Sequence, residues 1–366
     1  MSEGRERSFV IGIFGDNYEY RKLLGQALGS PGTQSDIQFF NRLDDQLGYV
    51  LSSLTPIDYP EKIKPFLQTC IITNIHILVI DLETGLNSVI GEILVGMDII
   101  HQIFETRILC VITNITSKSE WKLQEIKKKL VSIIDTTSLK GCEIYEIKEK
   151  SDYEVIKRKV VQLGETLPEP KLEIPLHTKV LIDHCFPVKG IGTVILGIVK
   201  KGVVNVSQML KIVGYEGDSK KVIVRSIQKH DREFKSAYEG DRVGLALKGN
   251  ISPEEISRDN ILVSIDGYKQ EKEIKAKVFV NPFYKPKDGS LKSNSDMQFH
   301  AIVELKSSPL KFGDGDDLTP GKKGIIQIKF DKYLVHDGSG LKGIITELNK
   351  FHNKLRIVGY FEQILI

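Results

Sequence analysis

The stretch Phe9–Lys22 combines an apolar run, a glycine and a helical pattern, which is the order of elements around a phosphate-binding loop. Such a loop, G-x-x-x-x-G-K-S/T, wraps phosphate oxygens with backbone N–H groups, and its Ser or Thr holds Mg²⁺. Gly15 matches the first glycine, but Tyr20 takes the place of the second. Arg21 takes the place of the lysine, and Lys22 that of the Ser or Thr. We therefore predict a strand-to-helix turn without a ligand, with Tyr20 and Arg21 in the volume that a phosphate would need.

A second candidate is the stretch Leu109–Ser117, an apolar run that leads into a polar loop. A guanine-binding motif, N-K-x-D, would lie in such a loop. Asn114 is present, but Ile115 replaces the lysine and Ser117 replaces the aspartate. Without that carboxylate nothing accepts hydrogen bonds from the guanine N1 and amino groups, so the loop predicts no selectivity for guanine.

The remaining reactive residue types form no recognisable site. The four cysteines, Cys70, Cys110, Cys142 and Cys185, contain no C-x-x-C pair, so we expect reduced, mostly buried thiols and no zinc site. The loop Gly313–Asp317 is rich in Asp and Gly but lacks the distal glutamate of a calcium loop. We predict no catalytic residue and no metal ligand.

The elements that must position these residues alternate between strands and helices over the first 165 residues. Short apolar runs rich in Ile and Val are typical of strands that are buried on both faces of a parallel sheet. Helical spacing of apolar residues between them predicts a doubly wound α/β domain. The predicted strands are Ser8–Phe14, Ile75–Ile80, Arg107–Thr113 and Cys142–Ile147, and the predicted helices are Arg21–Leu28, Val89–Phe104, Leu123–Ile134 and Tyr153–Leu167.

A proline-rich connector, Leu167–Pro175, ends this pattern. Beyond it the helical spacing nearly disappears, and short alternating segments separated by turns of Gly, Asp and Lys are typical of β-barrels. A second change of pattern falls near Tyr268–Lys272. We predict three domains: an α/β domain over 1–170, and two β-barrels over 171–268 and 269–366.

Charge is distributed unevenly between these parts. Residues 1–170 contain 19 Lys and Arg against 24 Asp and Glu, whereas residues 171–366 contain 32 against 24. Any contact with RNA phosphates is therefore expected on the two β domains. No run approaches the roughly 20 apolar residues that span a bilayer, and we predict a cytoplasmic protein without membrane partners.

Several spaced segments now point to a family. Four segments resemble the second domain of translational GTPases of the elongation factor Tu and elongation factor 1-alpha type: Val188–Gly202, Ser226–Asp231, Tyr238–Gly249 and Ser252–Arg258. Among these GTPases, the resemblance is closest to archaeal SelB. The segment Lys354–Tyr360 resembles the last strand of their third domain. The resemblance implies a GTPase-like doubly wound domain followed by two β-barrels.

The first domain resembles the family only in its scaffold. The segment Gly32–Ile37 falls where the first switch would lie. The family's D-x-x-G-H falls near Asp58 and Tyr59, so its aspartate, its glycine and the water-positioning histidine are missing. The motifs that bind phosphate and magnesium, that support hydrolysis and that recognise the base thus all depart from the family pattern. We therefore predict a pseudo-GTPase that is not an enzyme and has no GTP or Mg²⁺ cofactor.

We therefore predict that the protein is a GTPase-deficient paralogue of a translation elongation factor. It would bind the ribosome, and a tRNA or a tRNA-mimicking, release-factor-like protein, with a role in ribosome inactivation or dormancy. The alternative is a working GTP-dependent elongation factor with unusual motifs. A third interpretation, an unrelated enzyme on this scaffold, is disfavoured because the sequence contains no identifiable nucleophile and base. Candidate RNA or ribosome contacts beside the family-like segments are Lys189, Lys200, Lys201 and Arg232.

Overall fold

The structure, a computed structural model, describes residues 7–44, 48–169, 177–214, 219–294, 297–348 and 354–365. The chain forms two compact units, one of residues 1–168 with 350–354 and the other of residues 169–349 with 355–366. Residues 170–175 of the predicted proline-rich connector lie outside the described residues. Within the described residues, no helix is long and apolar enough to cross a membrane.

The first unit is a seven-stranded sheet with helices, as the alternating pattern predicts. Its elements are β1 (Arg7–Gly15), α1 (Tyr18–Leu28), β2 (Ser30–Gln34), β3 (Ile37–Asp44), β4 (Tyr49–Pro56), α2 (Ile63–Ile72), β5 (Ile75–Asp81), α3 (Ser88–Phe104), β6 (Arg107–Thr113), α4 (Leu123–Ile134), β7 (Glu143–Glu146) and α5 (Asp152–Glu165). A single-turn 3-10 helix, Glu120–Lys122, precedes α4.

The sheet is mixed and not purely parallel. Its strand order is β2-β3-β4-β1-β5-β6-β7, and β4, β1, β5, β6 and β7 run parallel. The strand β3 pairs antiparallel with both β4 and β2. The sequence analysis missed this edge of the sheet and helix α2. The carboxyl ends of the parallel strands β4, β1, β5 and β6 meet at one edge, where ligands bind in doubly wound folds.

The second unit begins with a closed six-stranded barrel. Around it the strands run β11-β16-β8-β9-β15-β12, and β12 pairs again with β11. Alternating Val, Ile and Leu side chains fill the interior. The strands of this part are β8 (Lys179–Val188), β9 (Gly192–Lys201), β10 (Val203–Asn205), β11 (Met209–Val213), β12 (Lys220–Lys229), β13 (Arg232–Phe234), β14 (Ser236–Tyr238), β15 (Arg242–Gly249) and β16 (Ile261–Ser264), with a 3-10 turn at Pro253–Glu255.

A second closed barrel follows, in the order β17-β20-β19-β18-β21-β22. Its strands are β17 (Lys269–Val280), β18 (Phe299–Val303), β19 (Lys306–Gly315), β20 (Lys323–His336), β21 (Lys342–Thr346) and β22 (Ile357–Gln363). Strand β16 ends at Ser264 and β17 begins at Lys269. The predicted fold class, an α/β domain followed by two β-barrels, is thus confirmed.

Candidate functional sites: the sheet edge and the barrel face

The turn after β1 is shorter than a phosphate-binding loop. Only Asp16 and Asn17 separate β1 from α1. The Asn17 side chain caps the helix by accepting a hydrogen bond from the Glu19 N–H at 3.0 Å. The Arg21 N–H already donates to the Asn17 carbonyl at 3.3 Å. Positions that would form an open loop around a phosphate are therefore the first turn of a helix.

Gly15 has a packing role at this turn. A Cβ at Gly15 would lie 2.4 Å from the carbonyl oxygen of Val79 on β5. Strands β1 and β5 approach too closely there for any side chain. The glycine that matches the first position of the nucleotide motif is thus explained by strand packing.

Arg21 is completely buried, with 0% of its surface exposed. Its guanidinium donates to the Thr55 hydroxyl at 3.2 Å, to the Tyr59 carbonyl at 3.0 Å and to the Pro56 carbonyl. Burial lowers the pKa of this guanidinium to about 10, so it keeps its charge at neutral pH. The side chain therefore ties α1 to the end of β4.

Tyr59 and Asp58 occupy the place of the family's D-x-x-G-H. The Tyr59 ring is buried, 4.7 Å from the ring of Phe66 between centroids. Its hydroxyl lies 3.1 Å from the Glu92 carboxylate. Asp58 forms an exposed ion pair with Lys62 at 2.7 Å. An aromatic ring that packs into the domain therefore stands where a water-positioning histidine would lie.

The ends of β5 and β6 are joined by a polar network. The Asp81 carboxylate accepts hydrogen bonds from the Asn114 amide at 2.8 Å and the Asn17 amide at 3.3 Å. The Asp16 carboxylate accepts from the Asn87 amide at 2.6 Å. Asn114, the one matching residue of the guanine motif, therefore binds a carboxylate of its own domain.

We call this polar network, together with Arg21 and Tyr59, the sheet edge. The other predicted residues of this region lie around it. Tyr20 is half-buried and packs on the apolar core of the α/β unit. Lys22 is half-buried, and Ser117 is exposed in the loop after β6. The segment Gly32–Ile37 covers the end of β2, the turn at Ser35 and Asp36, and the first residue of β3. The described residues contain no group of three His, Cys, Asp or Glu side chains that could hold a metal ion.

A second cluster, which the sequence analysis missed, lies on the outside of the first barrel. The pairing of β8 with β9 shifts register between Ile182 and His184, so Asp183 lies in a β-bulge. Only 3% of the Asp183 side chain is exposed, and Arg242 on β15 lies 3.2 Å from its carboxylate. The His184 ring is 2.8 Å from the same carboxylate. Burial alone would raise the pKa of Asp183, but Arg242 and His184 outweigh it and hold this pKa below its ordinary value.

Exposed apolar side chains surround this cluster. Phe186 pairs in register with Val194, and His184 pairs with Leu196. Phe186 is 38% exposed and Ile191, in the β8–β9 turn, is 41% exposed. We call the surface formed by Phe186, Ile191, Val194 and Leu196, with the Asp183 cluster, the barrel face. Its sequence signal is a polar pair, Asp183 and His184, in strand β8, whose other residues after Lys179 are apolar.

The four predicted RNA-contact residues fall into two groups. Lys189 and Arg232 are exposed in the turns β8–β9 and β12–β13. Lys201 forms an ion pair with Asp337 of the second barrel. Lys200 is half-buried, and burial lowers the pKa of its ammonium group. The structure thus gives Lys201 a partner within the protein, and RNA contact by all four residues stays a prediction.

Comparisons with known proteins agree with this architecture. Residues 192–257 match the family model of elongation factor Tu domain 2. The fold matches translation elongation factor SelB from Methanococcus maripaludis, solved with the GTP analogue GppNHp, with a TM-score of 0.82 and 23% identity over 98% of this chain and 80% of that one. It also matches bacterial selenocysteine-specific elongation factor EF-Sec with a TM-score of 0.79 and 17% identity, over 98% of this chain and 58% of that one.

Sequence relatives define the family more narrowly. The selenocysteine-specific elongation factor of Methanocaldococcus jannaschii is 32% identical over 58% of this chain and 45% of that factor. These matches confirm the predicted resemblance to translational GTPases of the elongation factor Tu type. The chain belongs to the same family as "Uncharacterized protein MJ0325" of the same organism, at 32% identity over 75% of this chain and 78% of that protein.

Proposed function

We propose that this protein is a GTPase-deficient paralogue of a translation elongation factor. It binds the ribosome, and a tRNA or a tRNA-mimicking, release-factor-like protein, without GTP turnover. The observation that carries the proposal is Arg21, whose buried guanidinium binds the end of β4. Membership of the translation-factor family supports the ribosome as the partner.

The sheet edge disfavours a nucleotide for three physical reasons. The turn after β1 has two residues, too few to wrap a phosphate. The guanidinium of Arg21 is already bound to protein oxygens, so a phosphate would have to displace them. The carboxylates of Asp16 and Asp81 lie at the same edge and would repel an anion.

Loss of the nucleotide cycle has a functional consequence. In nucleotide-dependent switches, hydrolysis releases segments that the γ-phosphate and Mg²⁺ hold in place. Here Arg21 and Tyr59 hold the corresponding segment through contacts that no hydrolysis removes. A factor without such a timer suits long occupancy, for example on idle ribosomes, better than rapid cycles of delivery.

The barrel face supports a macromolecular partner. Exposed aromatic and aliphatic side chains beside a buried, hydrogen-bonded ion pair are typical of the centre of an interface. In this chain Phe186 and Ile191 supply the exposed apolar surface. Asp183 and Arg242 form the buried pair.

The test combines two measurements on the purified protein. Titration with a fluorescent GTP analogue in the presence of Mg²⁺ should give no saturable signal up to about 1 mM nucleotide. SelB from Methanococcus maripaludis, whose structure holds a GTP analogue, is the positive control. In sucrose gradients of native lysate, the protein should sediment with ribosomal particles.

The two measurements separate the alternatives. Magnesium-dependent binding at micromolar nucleotide would favour a working GTP-dependent elongation factor with atypical motifs. Absence from both the ribosomal and the tRNA fractions would reject a translation partner. Co-sedimentation without nucleotide binding is the result that the proposal requires.

A further inference from the structure

Two cysteine thiols lie next to each other in the α/β unit. Cys110 is on β6 and Cys142 immediately precedes β7, and their sulfur atoms are 3.4 Å apart. Both are free thiols in the structure. Cys110 is buried and Cys142 is half-buried, so Cys142 is the more accessible residue of the pair.

The backbone around the pair can accommodate a bond between the sulfurs. A disulfide needs an S–S distance of about 2.05 Å, so the sulfurs would have to approach by somewhat more than 1 Å. Gly141, directly before Cys142, has a φ of 86°, and its Cβ position has no neighbouring atom within 4 Å. A glycine in this exposed turn gives the backbone next to Cys142 the conformational freedom for a small movement.

We propose that Cys110 and Cys142 are a redox modification site that forms a reversible disulfide by exchange with a low-molecular-weight disulfide. The Cys142 thiolate attacks one sulfur of the small disulfide, forms a mixed disulfide and releases one small thiolate. The Cys110 sulfur then attacks the Cys142 sulfur, and its proton leaves with the second small thiol. Two protein thiols are oxidised and one small disulfide is reduced to two thiols.

The order of these two steps follows from the environment of each sulfur. The Cys142 thiol and burial together raise the pKa of Cys110 well above its ordinary value. Cys110 is therefore a poor first nucleophile, whereas Cys142 is the less buried of the two residues. The first step should occur at Cys142, and the second should be faster at higher pH.

The bond would act on the edge of the sheet. Strand β7 has four residues and, in the part of the chain that the structure describes, pairs only with β6. A short edge strand with one partner is among the first elements to open locally. A covalent link between Cys110 and Cys142 would hold β7 against β6 when the surroundings become oxidising.

The experiment treats the full-length protein with oxidised glutathione and counts thiols after denaturation, with intact mass and peptide mapping. We expect four thiols to fall to two, with a Cys110–Cys142 peptide that dithiothreitol releases. Hydrogen exchange of residues 143–146 should slow in the oxidised form. The Cys110→Ser variant should stop at a stable glutathione adduct on Cys142, and Cys142→Ser should keep its remaining three thiols.

Two matched variants guard against misinterpretation. Cys70→Ser and Cys185→Ser change cysteines outside the pair and should form the same disulfide. A wild-type protein that keeps four thiols, or that retains a glutathione adduct without the Cys110–Cys142 bond, would overturn the proposal. A disulfide that includes Cys70 or Cys185 would also overturn it.

Discussion

Two arginines of this molecule have contrasting surroundings. Arg21 at the sheet edge donates to uncharged oxygens of Thr55, Pro56 and Tyr59 and is fully enclosed. Arg242 at the barrel face pairs with the Asp183 carboxylate in a β-bulge beside exposed apolar side chains. The first cation lies at the edge of the sheet where doubly wound folds bind ligands. The second lies beside an exposed apolar surface that includes Phe186 and Ile191.

This contrast bears on the proposed function, in which the sheet edge has a structural role and the barrel face binds a partner. A buried guanidinium that donates to the Pro56 and Tyr59 carbonyls connects elements of one domain. A buried ion pair at the rim of an exposed apolar surface orients its neighbours for binding. We therefore expect changes at the sheet edge to reduce stability, and changes at the barrel face to reduce partner binding.

The largest effect is expected for Arg21→Ala. The substitution leaves the Pro56 and Tyr59 carbonyls without their donor and creates a cavity, so the free energy of unfolding should fall by about 3 kcal/mol or more. Chemical denaturation measures this loss. Lys22→Ala, one position along the same helix, is the matched control and should change stability by less than about 1 kcal/mol. Equal stability of the two variants would show that the sheet edge is open.

A smaller effect, dependent on pH, is expected for Asp183→Asn. The folded state holds the pKa of Asp183 below the unfolded value of about 3.9, so the ionised carboxylate adds stability above that pH. The wild type should therefore be more stable than Asp183→Asn at neutral pH, by about 2 kcal/mol. This advantage should disappear as the pH falls through the folded pKa. Urea denaturation at pH 7 and at lower pH would test the sign, and an advantage that grows on acidification would contradict it.

Phe186→Ala should affect binding more than folding. Because the side chain is 38% exposed, its removal should change the free energy of unfolding by less than about 1 kcal/mol. Affinity for ribosomes in a pelleting assay should fall about tenfold if this ring lies at the centre of the interface. Ile223→Ala removes an apolar side chain of matched exposure, 37%, on another strand of the same barrel. Equal binding by the two variants would remove the barrel face from the interface.

The smallest effect is expected for joint charge reversal of Lys189 and Arg232. Both side chains are exposed, so reversal should weaken ribosome co-sedimentation by a few-fold and reduce its dependence on salt concentration. Reversal of the exposed Lys118 and Lys128 in the α/β unit is the control. Lys201 is a poor probe, because its reversal would also place like charges at Asp337. Unchanged co-sedimentation of both double variants would argue against RNA contact by the β domains through these residues.

The sequence by itself determined the architecture and the loss of the nucleotide motifs. Apolar runs such as Ile75–Ile80 and Arg107–Thr113 predict strands because local spacing and composition specify burial on both faces of a sheet. The residue types at Tyr20, Arg21 and Tyr59 depart from the nucleotide motifs, and they led to the prediction that phosphate cannot approach the backbone closely there. These properties are local, so neighbouring residues are enough to reveal them.

Only the tertiary structure determined which groups the charged side chains contact. Arg21 meets acceptors 34 to 38 residues away in the chain, and Arg242 meets Asp183, which is 59 residues away. Lys201 meets Asp337, 136 residues away, which turned a predicted surface cation into half of an ion pair. The antiparallel pairing of β3 also depends on a distant partner, since a short apolar segment does not specify its own direction in a sheet. Contacts of this kind are set by how the chain packs, because no local pattern encodes the identity of a partner that is remote in sequence.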